Sequence, residues 1–154
     1  MATNMPSSIL FCCDHNAVRS PMAEALMKKL YGTRAYVQSA GVMNDLEIDG
    51  FAVCVCAEIG AELSRHQARS FQDLQEVGDH MSSYDLIIAL SPASHHKARS
   101  LTKLYHIDVE YWPINDPTGA GGNRDTLLDS YRRTRDQIIA RMEQRFGPPT
   151  EPTS

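Results

Sequence analysis

The stretch Ser8-Ile9-Leu10-Phe11-Cys12-Cys13-Asp14-His15-Asn16-Ala17-Val18-Arg19-Ser20-Pro21 decides the fold. Ser8–Cys12 reads as a short apolar strand. From Ser20 onward the chain reads as a helix, with Ser20 as N-cap, Pro21 at the first helical position and Gly32 just past a basic last turn. Between strand and helix stand Cys13, five residues, then Arg19 and Ser20. Five residues suffice to wrap backbone N–H groups around a tetrahedral oxyanion, and a helix start favours its charge. The planar fork of Arg19 suits two oxygens of such an anion. The same groups favour a thiolate at Cys13, and the Ser20 hydroxyl is able to donate to that sulfur. The candidate loop is thus Asp14, His15, Asn16, Ala17, Val18, Arg19 and Ser20.

Outward from this loop, strand-like and helix-like segments alternate. Ala35–Ser39 reads as strand, Gly50–Gly60 as helix and Asp85–Leu90 as an almost wholly apolar strand. Pro92–Leu104 reads as helix and Val109–Trp112 as strand. Asp125–Phe146 reads as a long amphipathic helix with Leu128, Tyr131, Ile138, Ile139 and Met142 facing inward. This order predicts an α/β sandwich on a parallel sheet. Ligands of such sheets bind at the carboxyl ends of the strands, where the Cys13 loop lies.

The chain has 154 residues, 42% hydrophobic and 22% charged, which fits one soluble domain. We take residues 1–7 and 147–154 as flexible tails around a domain at 8–146. The formal net charge of −4 argues against a nucleic-acid binder. No stretch approaches a membrane span and no leader is visible, so the expected location is the cytoplasm. Thiols stay reduced there. Cys12, Cys13, Cys54 and Cys56 are therefore read as packing, metal or catalytic residues before disulfides, with Cys12, Cys54 and Cys56 taken as packing, and none has zinc-site spacing with a histidine. No metal or cofactor is expected. His95 and His96, adjacent at a helix start, are read as solvated.

Ile9 to Ala25 resembles the opening signature of the low-molecular-weight protein tyrosine phosphatases and the related thioredoxin-coupled arsenate reductases. The likeness continues through Ser39-Ala40-Gly41, His66-Gln67-Ala68-Arg69, Tyr84-Asp85-Leu86 and Asp116-Pro117, and so covers nearly all of residues 8–146. The resemblance implies a three-layer sandwich with a four-stranded parallel sheet (phosphotyrosine protein phosphatase I-like) and no metal. It makes Cys13 the nucleophile of a cysteinyl-phosphate intermediate, Arg19 the phosphate-binding arginine and Asp116 the general acid. It places Ser20 beside the thiolate. Asn16, which tolerates a left-handed turn, Ser39 and His66 form a supporting hydrogen-bond network. The expected substrate is a phosphotyrosine protein or small aryl phosphate, with phosphate or another oxyanion seated in the loop.

The sequence departs from that pattern in places. His15 and Val18 stand where the family commonly has Gly and a second Cys, and Asp14 puts a carboxylate beside the oxyanion site. Thr118-Gly119-Ala120-Gly121-Gly122 follows Asp116-Pro117, where the phosphatases typically have tyrosines walling the pocket. The arsenate reductases need two more cysteines after the third strand, and residues 89–96 contain none. Two alternatives stand beside the phosphatase: an arsenate reductase using an external thiol, and a catalytically weak oxyanion-binding regulatory module.

Overall fold

The computed structural model describes residues 5–119 and 121–149. Four strands, β1 (Ser8–Cys13), β2 (Tyr36–Gly41), β3 (Leu86–Ala89) and β4 (Asp108–Tyr111), form one parallel sheet in the order β2-β1-β3-β4. Successive strand residues point to opposite faces. Along β1, Ile9, Phe11 and Cys13 join one apolar cluster while Leu10 and Cys12 join another. Helices α1 (Arg19–Tyr31), α2 (Gly50–Ala57) and α5 (Arg124–Phe146) cover the first face. Helices α3 (Phe71–Glu76) and α4 (Pro92–Leu101) cover the second. The three-layer α/β sandwich expected from the sequence is the fold observed. β3 is buried at every position, which explains its unbroken apolar run.

The inward positions foreseen on α5 are buried at Leu128, Tyr131, Ile138 and Met142, and Ile139 packs at the margin. An edge contact between Phe11 and Trp112, ring centroids 6.0 Å apart, and a tilted one between Trp112 and Phe146, 6.2 Å apart, pack α5 against the sheet. Truncating a buried aliphatic here, such as Ile88→Ala, costs about 2–5 kcal/mol.

Several boundaries differ from the sequence reading. β2 runs two residues further, to Gly41, because it pairs with the whole of β1. The helix after Asp49 stops at Ala57, and the one after Ser91 at Leu101. The short α3 was not foreseen. Its six residues are too few to show a period, although Ser70 and Asp73 form a reciprocal capping box at its start. Ser20 is not the N-cap of α1. The helix begins at Arg19 behind Val18, which makes no side-chain cap, and the Ser20 hydroxyl is committed to the Cys13 sulfur instead. Of the expected tails, residues 1–4 and 150–154 lie outside the described residues. Met5 packs against the core, Ser7 pairs with Tyr36 and Asp85, and the Tyr31 hydroxyl donates to the Gly147 carbonyl at 2.8 Å. No described helix is long and apolar enough to cross a membrane.

Candidate active site

β1 ends in the middle of the sheet, with β2 on one side and β3 on the other. The chain then turns through residues 14–18 into α1, at the point where the strand order reverses. Three backbone bonds tie this loop to the segment after β2. The amides of Val42, Met43 and Asp49 donate to the carbonyls of Cys13, Asp14 and Ala17 at 3.0, 2.9 and 3.0 Å. The approach is so close that a Cβ on Gly41 would lie 2.7 Å from the Asn16 nitrogen, so no other residue fits there without displacing the loop.

Asn16 holds the turn. It is the one described non-glycine residue at positive φ, 55°. Its Nδ2 donates to Ser20 Oγ at 2.8 Å and to Ser39 Oγ at 2.9 Å. Its Oδ1 accepts from the Arg69 amide at 3.0 Å and from His66 Nε2 at 2.8 Å. Ser39 passes the chain on by donating to Glu24 Oε1 at 2.6 Å. The network foreseen at Ser20, Asn16, Ser39 and His66 is therefore contiguous. Glu24 and Arg69 belong to it as well. The Arg69 guanidinium lies 3.4 Å from Glu24 and donates to the Ser39 carbonyl at 3.0 Å. Glu24 carried a signal that was missed, an acidic residue within the apolar run Pro21-Met22-Ala23-Glu24-Ala25-Leu26, and it is 8% exposed. Burial holds His66 below the usual imidazole range, although the Glu24 carboxylate opposes this.

Cys13 is 2% exposed, with Sγ 2.9 Å from Ser20 Oγ and 3.4 Å from the Ser20 amide nitrogen, which donates to it. Arg19 is buried and braced by the carbonyls of Ile114, at 3.0 Å, and Leu90, at 3.4 Å. These bonds use Nη1. Nη2 lies 3.5 Å from Asp14 Oδ2 and 3.9 Å from Asp116 Oδ2. The chain thus brings Asp116 to the Cys13 loop from the far side of the sheet. Asp116 accepts from the Thr118 hydroxyl at 2.7 Å and amide at 3.1 Å. Partial burial raises its proton affinity, but Thr118, Arg19 and His15 outweigh this, so its carboxyl sits below the ordinary carboxylate range.

Cys13, Asp14, His15, Ala17, Val18, Arg19, Asp116 and Thr118 line a cavity of about 170 Å³. Its remaining lining residue is Leu46, from the segment after β2, which sequence reading did not single out. Residue 46 is half exposed and supplies an apolar wall where no aromatic follows Pro117. His15 Nδ1 lies 2.6 Å from Asp45 Oδ1, beside that wall.

Cys12 faces the other side of the sheet, and burial, with the Cys13 charge added, pushes its thiol far up. Cys56 is also buried, its thiol pushed up to about 12. Cys54 departs from the packing role expected of it, since it is exposed. Among the described residues no group of three His, Cys, Asp or Glu side chains is placed to hold a metal ion.

A buried cysteine and arginine at the two ends of one loop, at the carboxyl edge of a four-stranded parallel sheet, define a class of oxyanion-handling proteins. The family model for low molecular weight phosphotyrosine protein phosphatase matches residues 8–147, and the chain belongs to that family. Among curated relatives, it is 30% identical to an arsenate reductase of Brevibacillus brevis, over 89% of this chain and 92% of that one. It is 32% identical to the probable low molecular weight protein-tyrosine-phosphatase EpsP of Ralstonia nicotianae, over 73% and 79%. Among solved structures it is similar to the arginine phosphatase YwlE, in a cysteine-to-serine mutant with a phosphorylated active-site serine. That likeness has 25% identity and TM-score 0.66, covering 89% of this chain and 95% of the other.

Proposed function

We propose that this protein is a phosphomonoester hydrolase, with phosphotyrosine proteins or small aryl phosphates as substrates, that works through a cysteinyl-phosphate on Cys13. The observation that carries this reading is the Cys13 sulfur, bonded to the Ser20 hydroxyl at 2.9 Å and sharing one small cavity with Arg19 and Asp116. In the first step the Cys13 thiolate attacks phosphorus. An S–P bond forms, the P–O bond to the leaving group breaks, and Asp116 gives that oxygen its proton. Loop N–H groups and Arg19 Nη2 stabilise the charge on the equatorial oxygens. In the second step Asp116, now a carboxylate, takes a proton from water as the water attacks phosphorus. Inorganic phosphate forms and the thiolate leaves, stabilised by the Ser20 hydroxyl.

A second reading is favoured by the arsenate reductases among the relatives. Arsenate has the shape and charge of phosphate and suits the same loop. The described cysteines besides Cys13 are Cys12, buried on the opposite face, and Cys54 and Cys56 on α2, so an arsenate reductase here would draw its reducing thiol from outside.

The deciding experiment is turnover of aryl and alkyl phosphates, phosphotyrosine peptides and a phosphoguanidine, with arsenate reduction by glutathione or thioredoxin measured in parallel. Phosphate release, abolished in Cys13→Ser while that variant still binds phosphate, is the expected result. Arsenite production without phosphatase turnover sinks the phosphatase reading, and neither activity leaves the oxyanion-binding module.

A further inference from the structure

Helix α4 carries a charge pattern that the oxyanion site does not use. Residues 86–107 contain no Asp or Glu, yet hold His95, His96, Lys97, Arg99, Lys103 and His106. Positions 92, 95, 96 and 99 fall on one face of α4 at helical spacing, and Lys103, just past its end, lines the same groove. That face and Tyr111 of β4 enclose an open groove of about 540 Å³. The His95 ring lies flat on Tyr111, with centroids 4.7 Å apart and planes 4° from parallel, and forms its floor. Arg99 and Lys103 are exposed on its walls, and among the described residues neither has a carboxylate within ion-pair distance.

Strand alternation keeps the groove free of acid. Val109 and Tyr111 pack on the α4 side. Glu110 goes to the other face, where Arg145 Nε meets it at 2.7 Å. Just beyond α4, next in the chain to the groove residue Lys103, Leu104 is 91% exposed and Tyr105 48%. The first turn of α4 is tied to β1, the Ser94 hydroxyl donating to the Cys12 carbonyl at 3.2 Å. The groove has no carboxylate among its lining residues, whereas Asp14 and Asp116 stand beside Arg19 at the Cys13 cavity, in a chain of net charge −4.

We propose that the α4–β4 groove is a docking surface for an acidic segment of a partner protein. Its Asp and Glu side chains pair with Arg99 and Lys103, and an apolar residue rests on Leu104 and Tyr105. Charge complementarity selects the partner, and the exposed leucine favours a peptide over a nucleic acid, which offers no aliphatic side chain. The inference does not depend on what chemistry Cys13 performs.

The test is fluorescence anisotropy of a labelled short peptide alternating Glu and Asp around one Leu, titrated with the full chain. Saturable binding is expected that weakens as salt rises. Arg99→Glu with Lys103→Glu is expected to weaken it by at least about tenfold. Leu104→Ser is expected to weaken it with every charge retained. Arg34→Glu with Arg133→Glu makes the same change in net charge on other surfaces and is expected to leave binding nearly unchanged. Thermal melts confirm folding, and Arg99→Gln with Lys103→Gln replaces the reversal if that variant melts early. The proposal is overturned by absence of binding to the parent, by equal weakening in the Arg34/Arg133 control, or by displacement of the peptide with inorganic phosphate. Tighter binding of oligothymidylate, lost in the same Arg99/Lys103 variant, overturns it as well.

Discussion

His15 Nδ1 and Asp45 Oδ1 lie 2.6 Å apart and join the oxyanion loop to the segment that follows β2. The pair sits next to Leu46, the apolar wall of the cavity, so it fixes where that wall stands. Both partners are partly exposed, and such pairs contribute about 0.2–1 kcal/mol. Asp45→Asn and His15→Ala are each expected to raise KM for small aryl phosphates roughly two- to fivefold, with kcat little altered. Unchanged KM in both variants would mean that the wall is held by backbone bonds alone.

Asn16 is the hub of the loop, and its side chain serves four partners. Asn16→Ala leaves buried Ser39 with a missing donor and retains a strained φ, so it is expected to cost about 2–4 kcal/mol of stability in urea unfolding. Asn16→Gly relieves the strain without restoring the bonds and should recover only about 1 kcal/mol of that loss. A glycine variant as stable as the parent would show that the backbone shapes the loop unaided.

His66 makes stability depend on pH. Its folded pKa is lowered, burial being the main cause, so the unfolded chain binds the proton more readily. The stability it supports is full above the unfolded imidazole value of about 6.5 and declines as pH falls from there towards the lowered folded value. His66→Gln, with no proton to gain, should flatten the stability profile through that window. A parent profile with no slope just below about pH 6.5 would remove His66 as its source.

Asp116 is a carboxylate in the resting protein, because Thr118, Arg19 and His15 outweigh its partial burial. The proton for a leaving oxygen must then be taken up with the dianionic substrate, whose charge favours the protonated carboxyl. Asp116→Asn is expected to slow single turnover of poor leaving groups by about 10²–10⁴-fold and of good ones by much less. Equal losses across a leaving-group series would take the acid role away from Asp116.

Asp14 stands 3.5 Å from Arg19 at the cavity, and its Oδ1 is buried without a hydrogen-bond partner among the described residues. Its charge should disfavour acidic residues immediately flanking a phosphotyrosine. We expect lower kcat/KM for such peptides than for basic ones, a gap that Asp14→Leu narrows. Thr118→Tyr should supply ring stacking and raise aryl affinity by roughly 0.5–1.5 kcal/mol. A parent that prefers acidic flanks, or a ranking untouched by both substitutions, places specificity elsewhere.

What the sequence determined by itself is local. Strand β1, the Cys13–Arg19 spacing and the Pro-led start of α4 are set by neighbours in the chain, so alternation, loop length and capping residues reveal them. The burial of β3 was legible for the same reason: a strand covered on both faces has no polar positions to alternate. The tertiary structure decided what depends on parts of the chain that meet only on folding. Ser20 reads as a cap, yet its hydroxyl bonds the Cys13 sulfur once the loop closes. Glu24 becomes part of the network because β2 brings Ser39 beside it. Asp45 and Leu46 reach the cavity through the pairing of β2 with β1, a contact between residues some thirty positions apart that no local period records. The basic face of α4 is visible as a composition, but its acid-free groove exists only because β4 turns Glu110 to the opposite side of the sheet.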